Sequence, residues 1–431
     1  MTTALPATPV TAADLPALQR RTSAVLILSQ ILGGLGVPVG IALAPVLATE
    51  VSGSEALSGL APTASVAGTA LLSLPLAALM ASRGRRPGLV LAYLVGAAGA
   101  LLVVTATMVG SFPLLLLGMA GFGAGSSANL QARFAAADLA APDRRGRAIS
   151  TVIWATTIGS VLGPNIAAPA GRVFRDTSVP ETAGPFAWAA AIFLLTGLLV
   201  AVLLRPDPLL TARALAPQET GPEHRSLRAG IAAVRASPMA RLALVTVAVS
   251  HTTMVSIMVM TPVHLGHHGA GLQLVGLVIS GHIAGMYAFS PVMGRLTDRV
   301  GRPAVIGLAA GLLCCAALLA GTSGGGHGRT AAGLFVLGLG WSAGLVAGSA
   351  LLTDSVPQAA RAAVQGLSDL TMNTAAGVGG AVAGVVVSRF GYGWLNAAAA
   401  CLLLPMASLA LRRAADRPAA VAGKGLPGRR D

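Results

Sequence analysis

The sequence predicts an all-α membrane protein of twelve transmembrane helices in two six-helix pseudo-repeats. Three observations predict it. Of 431 residues, 54% are hydrophobic and only 10% are charged, with a mean hydropathy of +0.76; soluble domains carry about a quarter charged residues. Apolar runs of about 20 residues, the length a helix needs to cross a bilayer, recur along the whole chain. The second half of the chain also echoes the first. Because lipid offers the backbone no hydrogen bonds, these runs are expected to be helices that satisfy their own N–H and C=O groups.

Taken in order, residues 1–22 are a polar, Pro/Ala-rich tail without the charged n-region and cleavage site of a signal peptide. Six spans follow at 23–48, 59–81, 88–108, 113–137, 148–171 and 186–204, making a first half over 23–204. Residues 205–240 are rich in Pro, Arg and Glu and read as a linker. Six more spans, at 241–263, 273–294, 304–321, 331–353, 363–388 and 393–411, make a second half over 241–411, and a tail occupies 412–431. Arg83, Arg85, Arg86, Arg144, Arg145, Arg147, Arg295, Arg299, Arg302, Arg361 and the tail arginines all fall on one side. The opposite loops hold Glu50, Glu55, Arg172, Arg175, Asp176, Glu181 and three histidines. The positive-inside rule then makes both termini and the linker cytoplasmic, in a bacterial-type plasma (inner) membrane. On this reading the net charge of +14 anchors topology and meets anionic lipid, and the partner is a bilayer, not nucleic acid. Cys314, Cys315 and Cys401 lie inside spans without CxxC spacing and are expected to be small buried hydrophobes, with no disulfide framework.

The repeat is visible in two places. GRLTDRVGR, Gly294–Arg302, shifted back by 217 residues, lands on AALMASRGR, Ala77–Arg85, aligning Leu296 with Leu79, Gly301 with Gly84 and Arg302 with Arg85. ADLAAPDRRGRA (137–148) matches TDSVPQAARAAV (353–364), bringing Asp138 onto Asp354. Six-plus-six parallel repeats are the plan of one large transporter class. GRLTDRVGR, between the eighth and ninth spans, resembles the signature loop of the major facilitator superfamily, and the resemblance covers essentially the whole chain. It implies the major facilitator fold and a gating role for Gly294, Asp298, Arg299, Gly301 and Arg302. The first copy departs from the pattern, with Ala81 where the aspartate would stand and Ser82 where the first arginine would. The fifth span contains GSVLGP, Gly159–Pro164, which resembles the Gly-Pro motif of exporters in the superfamily; a Gly/Pro pair also serves plain helix packing and bending.

Five of the seven histidines fall between His251 and His282, and five of the twelve methionines between Met254 and Met293. Met254 and Met258 are four apart, and His251 is three before Met254, so the three share a face of the seventh helix. His282 and Met286 are again four apart on the eighth. At 1.5 Å per residue, Met254 lies ~18 Å from the cytoplasmic end of its helix and His282 ~14 Å from the external end of the next, so both sit near the bilayer midplane. Soft, uncharged thioethers with imidazole and no carboxylate select Cu(I) over Zn²⁺, Mg²⁺ or Mn²⁺, and an intramembrane histidine is a functional candidate by default. MxxxM followed by HxxxM on consecutive helices is similar to the CcoA-like bacterial copper importers, which implies copper handling by Met254, Met258, His282 and Met286. The external HLGHH, with His264, His267 and His268, either collects metal at the mouth or is a solvated loop.

Other polar residues in spans are Gln30, Asn129, Gln131, Arg133, Asp369 and Asn373. Asp369 is either a proton-coupling or gating carboxylate or a salt-bridge partner for an arginine. Asn129, Gln131 and Arg133 would serve a large organic substrate better than methionines. No P-loop, catalytic triad or zinc-protease spacing occurs, so neither ATP drive nor an enzyme is expected, and no cofactor is. The reading is a secondary transporter importing copper, its substrate, by alternating access, with no oligomer required. Its rivals are a proton-coupled exporter of drugs or small metabolites on the same fold, and a copper-binding assembly factor for a membrane oxidase.

Overall fold

The computed structural model describes residues 14–54, 57, 59–173, 179–215 and 227–409. Glu55, Arg175, Asp176, the middle of the linker and the basic C-terminal tail lie outside the described residues. The described chain is helical, with no strand among the described residues. In order the helices are α1 (Leu15–Ser52), α2 (Leu60–Arg83), α3 (Arg85–Val109), α4 (Phe112–Ala137), α5 (Arg145–Arg172), α6 (Gly184–Leu203), α7 (Pro208–Leu215), α8 (Leu227–Ala236), α9 (Pro238–His267), α10 (Leu272–Tyr287), α11 (Ser290–Val300), α12 (Arg302–Gly321), α13 (His327–Asp354), α14 (Arg361–Phe390) and α15 (Tyr392–Leu402). Nine helical segments among the described residues are long and apolar enough to cross a membrane. The first, fourth and fifth predicted spans fall in α1, α4 and α5, of 38, 26 and 28 residues. At 1.5 Å per residue each is long enough for a hydrocarbon core of about 30 Å.

Two elements show more than the sequence reading. The predicted span 273–294 falls in one membrane-length segment, Leu274–Val300, in which two turn residues, Ala288 and Phe289, separate α10 from α11. Pro291 explains why a break is tolerated there, since it stands in the first turn of α11, where an N–H has no helical partner anyway. The linker contains α7 and α8.

The chain divides into two compact units, one comprising residues 1–233 with Val356–Leu370, the other residues 234–355 with 371–431. The first unit thus holds the start of α14 beside the helices of the first half. Its core is built where α3 and α4 cross, with Tyr93, Phe122, Phe186 and Phe193 buried among alanines and leucines. α1 packs on α5 through glycine: a Cβ at Gly159 would stand 2.5 Å from the carbonyl carbon of Gly34. The first glycine of GSVLGP therefore serves helix approach; Gly163 and Pro164 lie outside the described side chains. In the second unit, α13 is the central helix and α9, α10, α11 and α12 pack on it. Outer faces carry Leu71, Leu277, Trp394 and Leu404, each more than three-fifths exposed, as a lipid-facing surface requires. Cys315 and Cys401 are also exposed, and Cys314 is partly so. That corrects the expectation of burial: in lipid a small apolar side chain gains as little from the core as from the outer face.

The repeat recurs in backbone geometry. Gly84, at φ 96°, separates α2 from α3, and Gly301, at φ 100°, separates α11 from α12. A 3₁₀ turn at Pro142–Arg144 leads into α5, and one at Gln358–Ala360 leads into α14.

Candidate functional site

In the first unit the polar span residues form one buried chain. Arg85, fully buried, donates from Nε to Asp138 Oδ2 at 2.7 Å and from Nη2 to Asp138 Oδ1 at 3.1 Å. Its Nη1 donates to Gln131 Oε1 at 3.3 Å, and its Nη2 also reaches Gln365 Oε1. Gln131 Nε2 donates to Asp369 Oδ2 at 2.7 Å. Arg133 Nη2 meets the other carboxylate oxygen at 2.6 Å, while its Nη1 donates to the Leu130 carbonyl at 2.6 Å. The Arg133 guanidinium also lies 4.3 Å from the centroid of the Phe134 ring. Two arginines and two aspartates sum to zero charge, which is how so many ionic groups stand burial together. Asp369 is thus the salt-bridge partner of an arginine, and Gln131 and Arg133 are committed to the same network.

Arg85, Asp138 and Gln365 were not among the site residues expected from sequence. A signal for the first two existed: the 217-residue shift puts Arg85 on Arg302 and its companion match puts Asp138 on Asp354. With its motif aspartate lost at Ala81, the first copy no longer shows the full signature around Arg85. Gln365 carries no such signal.

Deeper in the same unit, Tyr93 OH donates to Asn129 Oδ1 at 2.9 Å, and Gln30 Nε2 donates to Thr156 Oγ1 at 3.2 Å. Gln30 Oε1 is buried without a hydrogen-bond partner among the described residues.

The second unit holds the other copy of the signature turn. Arg302 donates from Nε to Asp354 Oδ2 at 2.9 Å, and its Nη2 lies 3.8 Å from Asp298 Oδ1. Gly294 is buried, Gly301 makes the break and Arg299 is exposed. Asn373, on α14, is buried.

The histidines and methionines are ordered along α13. His251 Nδ1 accepts from Trp341 Nε1 at 2.9 Å, and Tyr287 meets the same indole edge-on at 5.6 Å. His282 Nδ1 lies 2.8 Å from the Leu334 carbonyl. A carbonyl can only accept, so Nδ1 carries the proton and Nε2 presents a lone pair. That Nε2 is fully buried and has no partner among the described residues. A Cβ at Gly338 would stand 2.8 Å from the Met286 nitrogen. α9 runs antiparallel to α13, with Ser250 at Gly344 and His251 at Trp341. Helical rise then carries Met254 to about the level of residue 338 and Met258 to about that of 334, the levels of Met286 and His282. Met254, His282 and Met286 are buried, and Met258 is partly so. α9 and α10 each pack mainly on α13, which flanks both.

At the far end of α9, the rings of His264 and His268 lie 4.4 Å apart, and His264 stacks on Tyr392 at 4.2 Å. His264 Nε2 pairs with Ser323 Oγ at 3.2 Å, His268 Nδ1 donates to the His264 carbonyl at 2.8 Å, and His327 Nε2 donates to the His268 carbonyl at 3.1 Å. These nitrogens tie the end of α9 to the turn before α13. His267 is exposed and joins none of these bonds. Among the described residues no three His, Cys, Asp or Glu side chains gather as a metal site.

The family model for the Major Facilitator Superfamily matches residues 25–273 and 242–429. The chain is 35% identical over 405 residues, 93% of each chain, to the uncharacterized MFS-type transporter YddS of Bacillus subtilis (strain 168). It is 28% identical over 395 residues, 91% of this chain and 94% of the other, to the riboflavin transporter RfnT of Brucella anthropi. Among solved structures it resembles the human organic anion transporter MFSD10 (TETRAN), with a TM-score of 0.69 and 18% identity over 91% of this chain and 99% of that one. Spans, paired signature turns and full-length likeness meet in one conclusion: the chain belongs to the Major Facilitator Superfamily and is a multi-pass secondary transporter.

Proposed function

We propose that this transporter imports copper across the bacterial inner membrane, both termini cytoplasmic, and that Met254, Met258, His282 and Met286 handle the ion, with His251 beside them. The observation that carries the reading is His282. A buried imidazole with one nitrogen held by a carbonyl and the other lone pair left over is oriented as metal-ligating histidines are, the second bond fixing tautomer and ring. Leaving that lone pair buried and unmade costs about 1–3 kcal/mol unless something binds it. The thioether of Met258, level with it on α9, and those of Met254 and Met286, one turn away, are the soft, neutral donors that Cu(I) prefers.

The test is uptake of radioactive copper by cells that carry or lack the protein. Accumulation should depend on the protein and fall at least fivefold in His282→Leu and Met254→Leu, with each variant present in the membrane at parental level. Equal uptake by parent and variants would end the copper reading.

A second reading rests on the likeness to RfnT and on Gln30, whose buried oxygen also awaits a donor. In it the cargo is a planar organic molecule hydrogen-bonded by Gln30, Asn129 and Tyr93. Uptake of labelled riboflavin, lost in Gln30→Leu and indifferent to Met254→Leu, would select that alternative.

A further inference from the structure

The first copy of the signature turn has lost its aspartate to Ala81, yet a carboxylate stands at that turn. It comes from the linker. Asp207 Oδ2 accepts from the Arg86 backbone nitrogen at 2.7 Å, in the first turn of α3. Its Oδ1 accepts from the Leu209 and Leu210 nitrogens at 3.0 and 3.1 Å, capping α7. A Cβ on Gly84 would lie 2.5 Å from Asp207 Oδ2, so the absent side chain at residue 84 is what lets the carboxylate in. One carboxylate therefore caps two helices, where negative charge meets unpaired N–H groups. From the other end of α7, Arg213 Nη1 donates to the Ala81 carbonyl at 2.7 Å, at the end of α2. Between these two bonds Leu209, fully buried, packs with Ala81 and Ala362 of α14. Ala81 is itself buried, and its small side chain is what makes room for Leu209.

We propose that α7 is a clasp on the gate: Asp207 and Arg213 pin it to the α2–α3 turn, and through Leu209 it holds the start of α14 there. Asp207 thereby serves as the positioning carboxylate of the first half, as Asp298 does beside Arg302 in the second. Release of residues 356–370 from this unit breaks the apolar Leu209–Ala362 contact together with the Gln365–Arg85 and Asp369–Arg133 bonds, and leaves both polar pins in place. The contact that α7 itself gives up carries no charge.

The test needs no knowledge of the cargo. In the full-length protein with Cys314, Cys315 and Cys401 replaced by Ala, a single reporter, Ala360→Cys, is labelled in inside-out vesicles with a membrane-impermeant maleimide. Ala360 is buried two residues before Ala362, which packs on the clasp. Asp207→Ala and Arg213→Ala should each raise its labelling rate at least threefold. Asp207→Glu should keep the rate within a factor of two of the parent, and so should Leu210→Ala, on the exposed side of α7. A second reporter, Ala92→Cys in the core of α3, separates release from loosening. An unchanged rate at Ala360→Cys in Asp207→Ala would overturn the proposal, and so would an equal rise at both reporters.

Discussion

At the scale of single residues, the buried chain Asp138–Arg85–Gln131–Asp369–Arg133 shows how one charge decides its neighbours' fate. Arg133 spends one guanidinium nitrogen on Asp369 and another on the Leu130 carbonyl. Lysine carries its donors on one nitrogen and lacks the planar fork that reaches two separate acceptors, so Arg133→Lys should lower the melting temperature in detergent despite keeping the charge. Asp369→Leu strands the Arg133 charge in the core and should cost about 3–5 kcal/mol. Arg133→Met combined with Asp369→Leu removes both charges and should recover at least half of that loss, because an apolar pair of similar volume needs no solvation. A double variant as unstable as the sum of the singles would show that the ions act independently. Which residues were polar in the membrane was plain from sequence; who held whom was not. Gln131 and Arg133 lie two apart on one helix, and only the approach of α14 turns both toward Asp369.

At the scale of elements, the apolar runs were legible because lipid forces a helix on any run long enough to cross. The breaks were less so. The split between α10 and α11 is written only as a proline, Pro291, and Pro75 and Pro262 lie inside unbroken helices. α7 was hidden because an eight-residue helix has no periodicity to read. The glycines at the two turns were aligned from sequence, and their conformations agree. At φ 100° and ψ 152°, Gly301 occupies a region open almost solely to glycine, so Gly301→Ala should cost about 1–3 kcal/mol. Gly307 sits within α12 with open space around it. Gly307→Ala should therefore stabilise, by about 0.5–1 kcal/mol on helix propensity. Thermal unfolding in one detergent should move in opposite directions for the two. Gly84→Ala should be the worst of the three, since its Cβ would meet Asp207 as well.

At the scale of the whole molecule, the two halves repeat a plan but bury it to different depths. The repeat was legible because turn glycines, an arginine and a distant aspartate recur at nearly constant offset. Depth was not, because it depends on which helices close over the turn. Arg85 and Asp138 have side chains 0% and 1% exposed, and Arg302 and Asp354 have 14% and 23%. The same chemical change should therefore have unequal effects. Asp138→Asn keeps the shape, removes the bidentate charge partner of Arg85 and leaves that guanidinium sealed from water with only neutral acceptors at Asn, Gln131 and Gln365 beside it. The cost should be about 3–5 kcal/mol. Asp354→Asn leaves Arg302 beside Asp298 and within reach of solvent, and should cost about 1 kcal/mol or less, in the range of exposed pairs. Added salt should narrow the smaller difference and scarcely touch the larger, since screening reaches only charges that solvent reaches. Melting temperatures of both variants at low and high salt give the comparison. Equal losses would mean that the pair in the second half is as closed as that in the first, and that the asymmetry at Ala81 and Asp298 has no counterpart in stability.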